Sequence, residues 1–281
     1  MKLLRIKIYQ PQAHYRLPFT YQRRHTYPIP PYSTVIGFLI NVLGISHQDS
    51  EDFENLKQIK ISIAGKFESK TTEYIWFRNL LKKSHEARFG YVENRFINGH
   101  IEHPGGQSPI SIDVLNEVKL VIHLVHENEI FLRKIKENLE NPSHRLEMLH
   151  LGRAEDWIVL EEVSEIFDIN DESRVKFIRR DADYKHFFWI PESVITANGD
   201  SEEYFKGMDG LLYQLPTFCT IDGYDKTYNR HGRRNFDYVK TKLNDGLMVN
   251  KEFYFDKEIN LPIFLGDKLW KEKQVESLQK V

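Results

Sequence analysis

The stretch that most constrains this chain is Arg23–Gly44, RRHTYPIPPYSTVIGFLINVLG. Prolines at 28, 30 and 31 push the residues before them towards extended geometry, so the elbow they form is excluded from a helix. Directly after it, Val35, Ile36, Leu39, Val42 and Leu43 fall on one helical face. Ser33 stands where an N-cap is expected, and Gly44 where a left-handed C′ residue ends a helix. Gly37 lies inside the helix, where glycine costs about 1 kcal/mol relative to alanine. Its presence predicts something packed close against the backbone. A helix N-terminus approached by Arg23, Arg24 and His25 is a candidate anion site.

The segments around this stretch alternate strand and helix. Leu4, Ile6 and Ile8 face one way in LLRIKIY, while Arg5 and Lys7 give the other face a basic character. Gln58–Ser69 repeats the pattern through Ile59, Ile61 and Ile63, and Glu73–Leu81 fits strand or helix equally. Glu117–His126, EVKLVIHLVH, is the clearest strand. Asn128 caps a helix to about Glu140, which Pro142 terminates, and a turn at Gly152 leads to a strand from Trp157 to Val163. Residues 1–168 therefore read as one α+β domain in the order βαββαβ, the ferredoxin-like or RRM-like arrangement. Residues 169–281 carry short strands and turn signals and read as a β-rich C-terminal extension or a small domain. Residues 82–113 break the pattern, because basic, aromatic and glycine residues interleave there without an apolar period. Arg88, Tyr91, Arg95 and Phe96 suit a protruding hairpin that grips phosphates and stacks on bases; the alternative is a loop whose aromatics pack down locally.

Charge is distributed unevenly although the net value is −2. Residues 1–44 hold six Lys or Arg and no Asp or Glu, whereas 127–172 hold thirteen acidic residues against five basic ones. A local basic surface binds phosphates even on a chain close to neutral overall. The apolar content of 41% supports a core, and the single Cys219 excludes an intramolecular disulfide. Apolar runs stay well below the roughly 20 residues of a membrane span, and the N-terminus alternates as a strand rather than forming a signal peptide. The expectation is a cytoplasmic protein without a membrane partner.

Sites for other chemistry are weak. His100/His103 and His123/His126 are spaced i, i+3 without cysteines or HExxH, short of the three or four ligands zinc requires. Tyr184 with Lys185-His186, and Lys82, Lys83 with His85, offer acid, base and cation for metal-free RNA cleavage, but sequence adjacency does not join them in one site. Leu151-Gly152-Arg153 is a turn that suits a phosphate, with backbone N–H groups near Gly152 and charge from Arg153, and equally suits a plain β-turn.

Taken together, LLRIKIYQPQAHYRLP, TYPIPPYSTVIGFLINVLG, SPISIDVLNEVKLVIHL and HLGRAEDWI resemble the CRISPR-associated Cas family five, a branch of the RAMP superfamily. Tyr27, Pro28, Pro30, Pro31, Ser33 and Gly37 match its helix-entry hallmark, and Leu151, Gly152 and Arg153 its late turn. The resemblance covers about residues 1–165. It implies an RRM-like domain with a β-hairpin thumb at the 82–113 insertion, in a subunit of a type I Cascade antiviral complex. Such a subunit caps the 5′ handle of the CRISPR RNA, contacts the large subunit and the backbone RAMP subunits, and meets target DNA indirectly. No cofactor, metal or catalytic residue is implied, and the character is type I-B-like. A type I-C-like branch is instead a metal-independent endoribonuclease that processes precursor RNA; a structural protein-interaction module is the third alternative. On the binding reading Arg23, Arg24 and the start of the helix (His25, Ser33, Thr34, Gly37) contact handle phosphates, with Gly152 and Arg153 opposite. Tyr27, Tyr91 or Phe96 stack on bases, and Arg88 and Arg95 reach towards the neighbouring subunit.

Overall fold

The computed structural model describes residues 1–18, 20–78, 96–97, 100–101, 107–196, 201–221, 234–266 and 269. Its longer elements are β1 (Lys2–Ala13), α1 (Tyr32–Leu43), α2 (Glu51–Lys57), β2 (Lys60–Lys66), β3 (Ser69–Arg78), β4 (Gln107–His126), α3 (Glu129–Glu140) and β5 (Val159–Val163). Beyond these lie β6 (Val175–Asp183), β7 (Phe187–Pro191), α4 (Ser201–Gly207), β8 (Leu211–Ile221), β9 (Arg234–Asn244), β10 (Leu247–Asp256) and β11 (Leu261–Ile263). The architecture is mixed, with antiparallel sheet predominating over a few helices.

β1 lies between β5 and β4, and the main sheet runs β5-β1-β4-β2-β7-β9-β8 through antiparallel neighbours. The sheet thus crosses position 168: Phe187 and Phe188 pair with Gly65 and Ala64. One face of β1, carrying Leu4, Ile6 and Ile8, is buried in the same core as Val35, Leu39 and Val42 of α1 and Phe131, Ile135 and Leu139 of α3. The other face is covered by the separate sheet β6-β10-β11. There Arg5, expected on a basic outer surface, is buried and donates from Nη1 to the buried Asp256 (2.9 Å), while its Nε donates to Glu162 (2.9 Å). His123, paired with Arg5 across the strands, bonds the same Asp256 oxygen at 3.1 Å. The alternation in β1 is real, but its polar face meets Asp256 of the other sheet and Glu162 of the neighbouring strand β5.

Several local expectations change. The N-cap of α1 is Pro31, which makes no side-chain cap, and Ser33 lies in the first turn. Proline has no N–H to satisfy and its φ is already fixed, so the helix starts directly after it. Gly44 does take the left-handed conformation, φ 67°, and the N–H of Ile45 closes on Ile40 O. Glu73–Leu81 is strand as far as Arg78. The strand expected from Glu117 begins at Gln107, ten residues earlier. Its first half pairs with β3, from Arg78↔Gln107 to Ser69↔Asn116, and its second half with β1 and β2. The two halves meet at Glu117, which takes a φ of 55°. The arm therefore starts at Ser69, and part of the 82–113 insertion is regular ladder. Two short helices, α2 capped by Ser50 Oγ and α4, add to the expected set.

Candidate nucleic-acid interface

The start of α1 faces the turn at Gly152. Ser33, Thr34, Gly37, Phe38, Asn41, His150 and Gly152 line a cleft of ≈ 260 Å³, and none of the seven is acidic. Gly37 is exposed, and a Cβ built on it meets nothing within 4 Å. The close packing expected there is absent, and the glycine instead leaves the helix backbone bare over the cleft. Thr34 and Val35 donate to Pro31 O, so the N–H groups of Tyr32 and Ser33 precede the helical bonds, at the end where the helix field favours an anion.

The opposite wall is held by one carboxylate. Asp156 Oδ2 accepts from Arg153 N (2.8 Å) and His14 N (2.9 Å), and Arg153 Nε and Nη2 grip Oδ1. Gln10 Nε2 donates to Leu151 O and Asp156 O and ties the turn to β1. Gly152 stands at φ 117°, with His14 O and Asp156 Oδ2 close to where a Cβ would lie. Arg153, expected as a phosphate cation, is thus committed to Asp156, with Glu155 and Glu73 also within ion-pair reach (3.4 and 3.5 Å). The backbone part of the expectation, a glycine turn facing the helix, is present; the charge part is taken by carboxylates.

His14 connects this wall to a second cluster. Its Nδ1 bonds Asp113 O at 2.7 Å, and burial holds the imidazole below its ordinary pKa despite that contact. The neutral ring donates from Nδ1, which leaves buried Nε2 as an acceptor. The Asp113 carboxylate is 1% exposed and faces half-exposed Arg23 (2.9 Å), His25 (3.0 Å) and Lys70 (3.6 Å), with Thr72 Oγ1 donating at 3.0 Å. Burial pushes the Asp113 carboxyl up, but the hydrogen bonds from His25 and Thr72 and the charges of Lys70 and Arg23 outweigh it and hold the pKa below the usual range. The Arg23–Arg24 strand pairs in parallel with Ser111–Ile112 of β4. Arg23 and His25 are therefore held at the base of the β3/β4 arm. Arg24 is only partly exposed, and burial followed by the nearby Arg16 charge lowers its pKa.

Tyr27, expected to stack on bases, is 4% exposed. Its ring meets Trp189 and Tyr213 edge-on at 5.7 and 5.6 Å, and Trp189 Nε1 donates to Pro30 O at 2.9 Å. The hallmark tyrosine fixes the elbow against the C-terminal strands and is closed to a ligand. Exposed aromatics near the arm are others: Tyr74 (65%) and Trp76 (58%) on one face of β3, with ring centroids 6.4 Å apart, and Tyr21. Tyr74 pairs with Ser111, whose N–H donates to Gln22 O beside Tyr21. The i, i+2 spacing of Tyr74 and Trp76 was the signal available in sequence, masked by Ile75 between them and Phe77 after them. Arg88, Tyr91 and Arg95 lie outside the described residues, and of Phe96 only the backbone pairing with Ile101 is described.

Tyr184, Lys185 and His186 do not converge. Lys185 is 81% exposed and bridges Asp183 at 2.5 Å, whereas Tyr184 is buried among Phe188, Phe253 and Phe255. His186 Nδ1 bonds Tyr184 O. Among the described residues no group of three or more His, Cys, Asp or Glu is placed to hold a metal, and no helix is long and apolar enough to cross a membrane.

The family described as CRISPR-associated protein (Cas_Cas5) matches residues 3–246, which include both walls of the cleft and the Asp113 cluster. A solved chain described as "CRISPR RNA-guided surveillance complex" shares the fold with a TM-score of 0.53 at 11% identity, covering 88% of this chain and 91% of its own. A "Crystal structure of a CRISPR protein from Archaeoglobus fulgidus" aligns at a TM-score of 0.38 and 13% identity, over 95% of this chain and 99% of its own. No curated protein matches the chain. With the match running over most of its length, the chain belongs to the Cas5 family of CRISPR-associated proteins.

Proposed function

We propose that this chain is a non-catalytic RNA-binding subunit of a type I Cascade complex that caps the 5′ handle of the CRISPR RNA. The observation that carries the reading is the bare helix at Gly37, facing the Gly152 turn across a cleft without acidic lining. A phosphodiester backbone is thin and anionic, and this cleft offers helix N–H groups, hydroxyls and amides at close approach. Arg23 and Lys70 add charge at the arm base, and Tyr74, Trp76 and Tyr21 add exposed rings on which single-stranded bases stack. The order β5-β1-β4-β2, with α1 and α3 packed in one core, supports the ferredoxin-like βαββαβ reading of the first part of the chain. The solvent-exposed Lys185 and buried Tyr184 favour a binder over a nuclease built on that trio. On this reading the subunit assembles with a large subunit and backbone RAMP subunits in a type I-B-like system; the likeness to a chain of an RNA-guided surveillance complex supports only assembly with other CRISPR-associated subunits.

The test is binding of a labelled RNA bearing the repeat-derived 5′ end, titrated from low to high salt. Affinity should fall steeply with salt, and Arg23→Ala with Arg24→Ala should lower the log–log slope by about 2. Salt-independent affinity contradicts the reading. Metal-free cleavage of repeat RNA leaving 2′,3′-cyclic ends would show the processing enzyme instead.

A further inference from the structure

Removing a carboxylate from a basic surface ordinarily strengthens its grip on RNA, because the field becomes more positive. Asp113 is placed so that the opposite should happen. It is buried at the base of the arm, and Arg23, His25 and Lys70 surround its two oxygens. Each comes from a different position: the Arg23–Arg24 strand, the residue after it, and β3. Both N–H donors of Arg23 Nη2 are directed inward, to Asp113 Oδ1 at 2.9 Å and Thr72 Oγ1 at 3.3 Å. The donors on Nε and Nη1 take no part in those two bonds. A guanidinium fixed at one end in this way loses less rotamer freedom when its other end meets a phosphate. The backbone of Asp113 is used as well, since its carbonyl accepts from His14, whose own N–H bonds the Asp156 carboxylate of the Gly152 turn. One residue thus ties the cations of the arm base to the far wall of the cleft.

We propose that Asp113 is the positioning residue of this face, a buried anion that holds Arg23 and Lys70, with the His25 imidazole beside them, as one pre-organised donor array for the RNA backbone. The proposal rests on the RNA-binding reading of the same surface.

The experiment is a double-mutant cycle on the full chain with the repeat-derived RNA as probe, read by fluorescence anisotropy at constant salt. Asp113→Asn should weaken binding about tenfold although it raises the net charge by one, and Arg23→Ala with Asp113→Asn should lose clearly less than the sum of the two single losses, the remainder being what Asp113 exerts through His25 and Lys70. Binding by Asp113→Asn as tight as, or tighter than, that of the parent chain would make Asp113 a mere counter-charge and overturn the proposal. Fully additive losses would show that it acts on the fold and not through Arg23, and would also overturn it. If Arg23→Ala itself leaves affinity unchanged, the RNA-binding reading of this face falls and the proposal with it. Should Asp113→Asn fail to fold, Thr72→Val removes a hydroxyl that touches both Asp113 and Arg23 while leaving the carboxylate; a loss of about threefold supports the proposal and an unchanged affinity overturns it.

Discussion

Gly152 stands at φ 117°, and a side chain there would bring its Cβ within 2.7 Å of Asp156 Oδ2 and 3.0 Å of His14 O. Gly152→Ala is therefore expected to destabilise the chain by about 2 kcal/mol, measurable by urea denaturation, through backbone strain and a loosened Asp156 clamp. This position was legible in sequence as a glycine turn. Arg153 was legible as a functional neighbour, but its charge is absorbed by Asp156, Glu155 and Glu73, and Glu73 is eighty positions away. Tyr27 shows the same limit, because its motif marks the residue while the rings that bury it, Trp189 and Tyr213, come from the other end of the chain. Asp113 carried no local signal at all; only pairing of β3, β4 and the Arg23–Arg24 strand brings its partners together.

Among the elements, α1 was the most legible, since helical spacing of its apolar residues and a left-handed Gly44 are local properties. Its start was misplaced by two residues because proline can serve as N-cap without any side-chain bond. Gly37 stands out in the sequence, but empty space and close packing both select glycine, and the structure has empty space. The two causes predict opposite responses to a methyl group. Gly37→Ala should stabilise the helix by about 0.5–1 kcal/mol, seen as a raised melting temperature, whereas close packing would give a loss. For β3 the sequence fits strand or helix because Tyr74 to Phe77 place apolar residues on both faces, so a period of two is obscured; Gln107 to Asp113, inside the stretch that suits a protruding hairpin or a loop, is ladder with β3.

For the molecule as a whole, the joint between the two sheets is the feature least visible in sequence, since Arg5 and Asp256 are 251 residues apart. Burial raises the Asp256 pKa, but the hydrogen bond from His123 and the contacts with Arg5 outweigh it and hold the carboxyl at about 2. A folded pKa below the unfolded one means stability present above about pH 4 and lost as pH falls towards 2. Asp256→Asn should lack that acid step and be less stable by about 3 kcal/mol at neutral pH, because Arg5 then remains buried with its inner partner neutralised. Denaturation from pH 7 to pH 2 checks both statements. The most direct measurement of the central claim is the affinity of the Gly37→Trp chain for RNA bearing the repeat-derived 5′ end. A loss of about tenfold or more, equivalent to about 1.4 kcal/mol, is expected, with the fold intact by circular dichroism and melting temperature. Affinity equal to that of the parent chain, with the indole filling the cleft, would contradict it.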